Sequence, residues 1–147
     1  MLTQTLLELF TRDLNLLTEE IRQYKNESNL WKTEGLITNS AGGLCLHLIG
    51  NLNHFIGAIL GGTGYVRQRE LEFTLTDVSK MELIKQVEDT LDVIDRTLKK
   101  LTEADLQKEY ELQVFKKPMS TEYFLVHLST HLSYHLGQIN YHRRLLN

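Results

Sequence analysis

The chain has 147 residues and a formal net charge of −3, from 16 basic and 19 acidic side chains. That balance offers no broad basic field to nucleic acid or anionic lipid, and the length suits one domain, residues 1–147, with a core of its own. The single cysteine, Cys45, excludes an intramolecular disulfide framework and is compatible with a reducing cytoplasm.

The N-terminal "MLTQTLLELFTRDLNLL" has no basic leader region and no small-residue cleavage pattern, so it is expected to be mature structure. No run of about 18 apolar residues occurs, which predicts no membrane-spanning helix. Residues 2–25 place Leu2, Leu6, Leu9, Phe10, Leu14, Leu17, Ile21 and Tyr24 at steps of three and four, the pattern of one amphipathic helix. "NESNLWKTEGLITNSAGG" breaks that rhythm, and its Leu30 and Trp31 are expected to plug one end of the core. A second helix, capped by Asn39 or Ser40, should run to about Leu60 and stop at "GGTG", residues 61–64.

A polar connection, "YVRQRELEFTLTD", follows and is expected to wrap over the helices. Ser79 and Glu82 then form an S-x-x-E capping-box signature. Met81, Ile84, Val87, Leu91, Ile94, Leu98 and Leu101 carry a third helix behind it. "YELQVF" at 110–115 alternates and leaves an extended segment open. Ser120 or Thr121, after the single proline Pro118, caps a fourth helix that reaches almost to Leu146. Four long helices predict an all-α four-helix bundle, and the long first and second connections predict a crossover topology.

Of the six histidines, His127, His131, His135 and His142 lie in "VHLSTHLSYHLGQINYHRR", residues 126–144. Two imidazoles four residues apart on a helix differ by about 40° in direction and can address one ion. His127 and His135 are separated by about 12 Å along the axis, so at most two of the three successive histidines can converge. Another helix must supply a further ligand, and only His47 and His54, both on the second helix, remain. A histidine from that helix with an H-x-x-x-H pair gives three neutral nitrogen donors and an open position, the catalytic rather than the structural pattern. The alternative for each histidine is a hydrogen-bonded core or surface residue, and Cys45 is expected to serve packing.

His47 in "LCLHLIGNLNHFIGAILGGTGYVRQRELEF" and the late "HLSYHLGQINYHRR" together resemble the DinB-like superfamily of small bacterial metal-binding helical bundles. The late motif is H-x-x-x-H followed by a small residue and Gln, here His131, His135, Gly137 and Gln138. The first segment resembles one branch more closely, with a His-Leu-x-Gly-Asn stretch before a glycine turn and an R-x-R-x-x-E-F run. The resemblance implies a site of His47, His131 and His135 holding a divalent metal, commonly zinc or nickel. It also implies a four-helix bundle with long crossover connections, and often a homodimer. Gln138 and Asn51 become candidates for hydrogen bonds that orient the ligand rings. His54 and Tyr134 are catalytic candidates by position only.

Other motifs carry less. "GGTG" follows a helix rather than opening one, so it reads as a stop and not as a phosphate cradle. Arg67, Arg69 and Glu70 are expected to pair locally, the alternative being contact with an anionic substrate over the site. The absence of Glu-x-x-His and of H-E-x-x-H disfavours a carboxylate-bridged di-iron bundle and a zincin protease. Characterised members of the wider superfamily include thiol-dependent transferases and isomerases, and others resemble hydrolases. For this branch the resemblance implies no particular substrate, and one expectation is a metal-dependent enzyme acting on a small molecule, a low-molecular-weight thiol transferase ahead of a hydrolase. The alternative is a non-catalytic metal-binding or stress-associated interaction module.

Overall fold

The structure, a computed structural model, describes residues 1–147 and is all-helical, with six α-helices and no strands. Helix α1 (Leu2–Arg22) turns Leu6, Phe10, Leu14, Leu17 and Ile21 inward, as its spacing predicts. Its end is held by Lys80, whose ammonium donates to the carbonyls of Arg22 and Tyr24 at 3.0 and 2.5 Å. Tyr24 lies beyond the helix and is buried. A short 3₁₀ turn, Glu27–Trp31, follows and buries Leu30.

Helix α2 (Ala41–Leu52) starts at Ser40, whose hydroxyl accepts from the Gly43 amide at 3.0 Å. Every residue of α2 is buried. Such a helix has no face that tolerates water and must be covered on all sides. It packs against the other long helices, α4 (Lys80–Leu98) and α6 (Thr121–Leu146), while α3 (Arg69–Thr74) covers a further side. The polar connection therefore does lie over the core, and it does so through a helix that sequence patterning does not reveal. Trp31 packs so closely on Gly42 that a Cβ there would collide with the indole ring.

Beyond Leu52 the helix widens into a π-helical stretch, Asn53–Ala58. At its start Asn53 donates its side-chain amide to the Ile49 carbonyl at 2.9 Å and to the Thr90 hydroxyl at 2.8 Å. The helix stops in the glycine-rich turn, where Gly62 and Gly64 have positive φ of 63° and 77°.

Helix α4 is opened by Ser79, which accepts from the Glu82 amide at 3.1 Å. The reciprocal half of the expected capping box is missing, because the Glu82 carboxylate instead accepts from Gln86 at 2.9 Å. The buried face of α4 is Leu83, Val87, Thr90, Ile94, Thr97 and Leu98. Met81 is 80% exposed and corrects the sequence expectation at the first turn. A short α5 (Glu103–Gln107) packs on α6. Instead of a strand, the following loop forms one bridge between Glu109 and Ser120. Ser120 then caps α6 by accepting from the Tyr123 amide at 3.1 Å. Helix α1 lies against α4 and α6, and α2 against the same two, so one continuous set of buried side chains joins all four long helices. No helix is long and apolar enough to cross a membrane.

Candidate metal centre

His47, at the middle of buried α2, points toward α6, where His131 and His135 occupy successive turns. His131 Nε2 lies 3.1 Å from His135 Nε2 and 3.3 Å from His47 Nε2. One ligand nitrogen from each ring lies within 4.8 Å of the others, so the three histidines are positioned to hold a metal ion. Zinc bound at about 2.0–2.1 Å in a tetrahedron separates its nitrogen ligands by roughly 3.3–3.4 Å, close to both Nε2 separations.

The tautomers support the same use. His47 Nδ1 lies 3.0 Å from the Glu72 Oε1 carboxylate oxygen, which can only accept, so Nδ1 carries the proton. Arg67 Nη2 also approaches that nitrogen, at 3.3 Å, but with Nδ1 protonated no lone pair is offered to it. His135 Nδ1 likewise donates to Gln138 Oε1 at 2.7 Å. Two Nε2 lone pairs are thus aimed at His131 Nε2. A single proton on that nitrogen can satisfy only one of them, whereas a cation accepts from all three.

Behind His47 the carboxylate is itself fixed. Arg67 donates from Nε to Glu72 Oε2 at 2.8 Å and from Nη2 to Glu72 Oε1 at 2.9 Å, a bidentate pair. Both side chains are almost buried, at 11% and 7% exposure, so the pair exists where an unpaired charge would be costly. Gly50 makes room for it, since a Cβ there would collide with the Glu72 carboxylate. Phe73, next to Glu72 on α3, lies against the His47 ring with centroids 5.2 Å apart.

Burial holds the His131 pKa down to about 4, helped by the charges that His135, His47, His127 and Arg67 carry when protonated. Burial also lowers His47, outweighing the opposing pull of the Glu72 hydrogen bond. Both rings are therefore neutral near pH 7, the form that ligates metal. Neither of these two rings need lose a proton to bind.

The family comparison covers almost the whole chain: the model described as "Protein of unknown function (DUF1572)" matches residues 3–147. The chain belongs to the DUF1572 family. A crystal structure of a conserved protein from Enterococcus faecalis is similar to this DUF1572 chain, with a TM-score of 0.79 and 17% identity. That likeness covers 98% of this chain and 96% of the other, and at such identity it concerns the fold alone. None of the curated proteins compared matches the chain.

In this DUF1572 chain the remaining histidines stay outside the cluster. His127 stacks beside His131 at 6.2 Å between centroids and packs on Phe115 and Phe124. His54 packs edge-on to Phe55 at 4.8 Å. Tyr134 is 66% exposed, although its ring lies 5.3 Å from that of His135. His142 is buried, donating Nε2–H to the Lys32 carbonyl at 2.8 Å and accepting at Nδ1 from the Tyr24 hydroxyl at 2.6 Å. It ties α6 to the start of the first connection. Arg69 and Glu70 are exposed, and of the local pairing expected for that segment only Arg67 forms a close ion pair, with Glu72. Sequence reasoning missed Glu72, although the R-x-R-x-x-E-F run contains it together with Arg67 and Phe73.

Proposed function

We propose that this protein is a metal-dependent enzyme in which His47, His131 and His135 hold a divalent ion, zinc or nickel, with a position left open. The observation that carries this reading is the convergence of three imidazoles, two of which commit their protons elsewhere: His47 to Glu72 and His135 to Gln138. When bound, such an ion supplies Lewis acidity, lowering the pKa of a water or thiol or polarising a carbonyl. The chain's own part is to fix the rings. The Glu72 carboxylate makes His47 a better donor, Arg67 keeps that carboxylate oriented, and burial keeps His47 and His131 unprotonated.

A cleft of about 300 Å³ bordered by Leu36, Leu44, Gln138 and Tyr141 adjoins the Gln138 side of the site and suits a small molecule. We assign the reaction to transfer onto a low-molecular-weight thiol, ahead of hydrolysis, on the resemblance to the DinB-like superfamily. The same resemblance makes the four long helices a DinB-like four-helix bundle with long crossovers, while the single cysteine, Cys45, suits a cytoplasmic place. A homodimer also belongs to this reading. Along α6 the exposed Tyr123, Val126, Thr130, Tyr134, Gly137 and Tyr141 form one uncharged face suited to a second copy.

The deciding experiment measures zinc and nickel in purified wild type and His135→Ala, then screens wild type with thiol and electrophile pairs and with ester and amide substrates. Stoichiometric metal in wild type alone, with metal-dependent turnover, is expected. Equal metal content in the two proteins rejects the site. A loaded protein without turnover points instead to a non-catalytic metal-binding or interaction module, a reading that the solvent-facing Tyr134 favours. Light scattering of wild type and Tyr141→Glu tests the dimer: two monomers reject it.

A further inference from the structure

Two buried polar atoms beside the histidine cluster have no hydrogen-bond partner, Asn51 Oδ1 and His131 Nδ1. One is an acceptor, and the other is a donor whenever its ring offers Nε2 to a metal. They sit on facing helices, and the register of those helices brings them to the same level. Helices α2 and α6 run antiparallel: the His47 ring lies 5.2 and 5.3 Å from those of His131 and His135, and the Phe55 ring, farther along, lies 5.0 Å from Phe124. Asn51 stands midway between His47 and Phe55, one turn from each and on the same face. The point opposite, between the His131–His135 turn and Phe124, is the turn that begins at His127 and ends at His131. Asn51 is 7% exposed, so little water is available to satisfy its oxygen. A buried acceptor left without a donor is costly, and an orphan pair of opposite polarity has an obvious remedy.

We propose that Asn51 is the positioning residue of His131, its amide oxygen accepting the Nδ1–H of that ring when the three histidines bind metal. Each ligand ring then has its own acceptor: a carboxylate for His47, an amide from its own helix for His135, and an amide from the facing helix for His131. The His131 bond spans α2 and α6 directly, so metal binding and the closure of this helix pair strengthen each other. The inference rests on the metal-centre reading and extends it to the one ligand whose outer nitrogen has no partner.

The test uses Zn²⁺ as probe, with affinities from competition against a chromophoric chelator for wild type, Asn51→Ala and Asn51→Asp. Loss of an outer hydrogen bond to a ligand typically costs about 10–100-fold in affinity, and that loss is expected for Asn51→Ala. Asn51→Asp, which retains the acceptor, should restore it. The metal-free melting temperature of Asn51→Ala should be unchanged or higher, because an unsatisfied buried oxygen has been removed. A packing role would lower it instead. In ¹⁵N-labelled zinc-loaded wild type, His131 should show a slowly exchanging Nδ1 proton.

Wild-type zinc affinity in Asn51→Ala, or a zinc-loaded His131 protonated on Nε2, overturns the assignment while leaving the metal centre intact. So does a loss in Asn51→Ala that Asn51→Asp fails to restore. Wild type that binds no zinc overturns the underlying reading itself. The nitrogen measurement on wild type decides the matter even if Asn51→Ala does not fold.

Discussion

Glu72 stands directly behind His47, its Oε1 accepting the Nδ1 proton at 3.0 Å while the Arg67 guanidinium grips both carboxylate oxygens. The hydrogen bond fixes which His47 nitrogen is free, and the carboxylate's charge raises the basicity of that nitrogen. Glu72→Ala should therefore weaken zinc binding by roughly 10–100-fold, with Glu72→Gln between it and wild type because the amide oxygen still accepts. Chelator competition at pH 7.5 measures both. Wild-type affinity in Glu72→Ala would show that the carboxylate serves folding alone.

The two histidine pairs on α6 that sequence spacing leaves open separate by substitution. His131 shares Nε2 contacts with both His47 and His135, whereas His127 packs among Phe115 and Phe124. His131→Ala should lose stoichiometric zinc and His127→Ala should retain it, read by metal analysis after gel filtration. Equal loss in both would make His127 a participant and contradict the assignment.

The parts of this site differ in how much of them the residues reveal. His131 and His135 are legible because helical spacing is local: a four-residue step puts both rings on one face whatever the rest of the chain does. The choice of His47 over His54 needs tertiary information, which only the resemblance supplied. Glu72 is hidden for a different reason. It lies 25 residues from His47, on a six-residue helix too short to show a period, and its role arises from where α3 docks on α2.

The long helices show the same division. Their apolar spacing marks α1 and α6, yet the inward turn of α4 begins at Leu83 and leaves Met81 in solvent. Two apolar residues two positions apart cannot both face inward on a helix that buries one side only, and residue type alone does not decide between them.

Acid should weaken the folded protein before carboxylates begin to titrate. His142 has its pKa lowered in the folded state, first by burial and against the pull of the Lys32 carbonyl, whereas the unfolded chain has the ordinary value of about 6.5. Below that pH the unfolded chain binds a proton that the folded one refuses, so stability is fully present above about pH 6.5 and falls as pH drops toward the folded value. His47, His54, His127 and His131 are shifted in the same direction and add to the slope. Urea midpoints of the metal-free protein should fall between pH 6.5 and 5, less steeply for His142→Gln. A midpoint constant from pH 7.5 to 5 would contradict the lowered values.

Two glycines give opposite expectations for the same substitution. At Gly137 on α6 a Cβ meets nothing within 4 Å, so alanine should gain up to about 1 kcal/mol from helix propensity and leave zinc affinity unchanged. At Gly50 the added Cβ collides with the Glu72 carboxylate and crowds Arg67 Nε, 3.4 Å away. Overpacking of this kind costs about 1–3 kcal/mol, enough to cancel or reverse the propensity gain. The only relief is for Glu72 to move, and Glu72 cannot move without releasing the His47 Nδ1 proton. Gly50→Ala should therefore lower zinc affinity in the same direction as Glu72→Ala, although no ligand has been touched. Denaturant midpoints and zinc titrations on the two alanine variants separate these effects: matching behaviour at both positions would mean that α3 yields freely and that Glu72 is not held against α2.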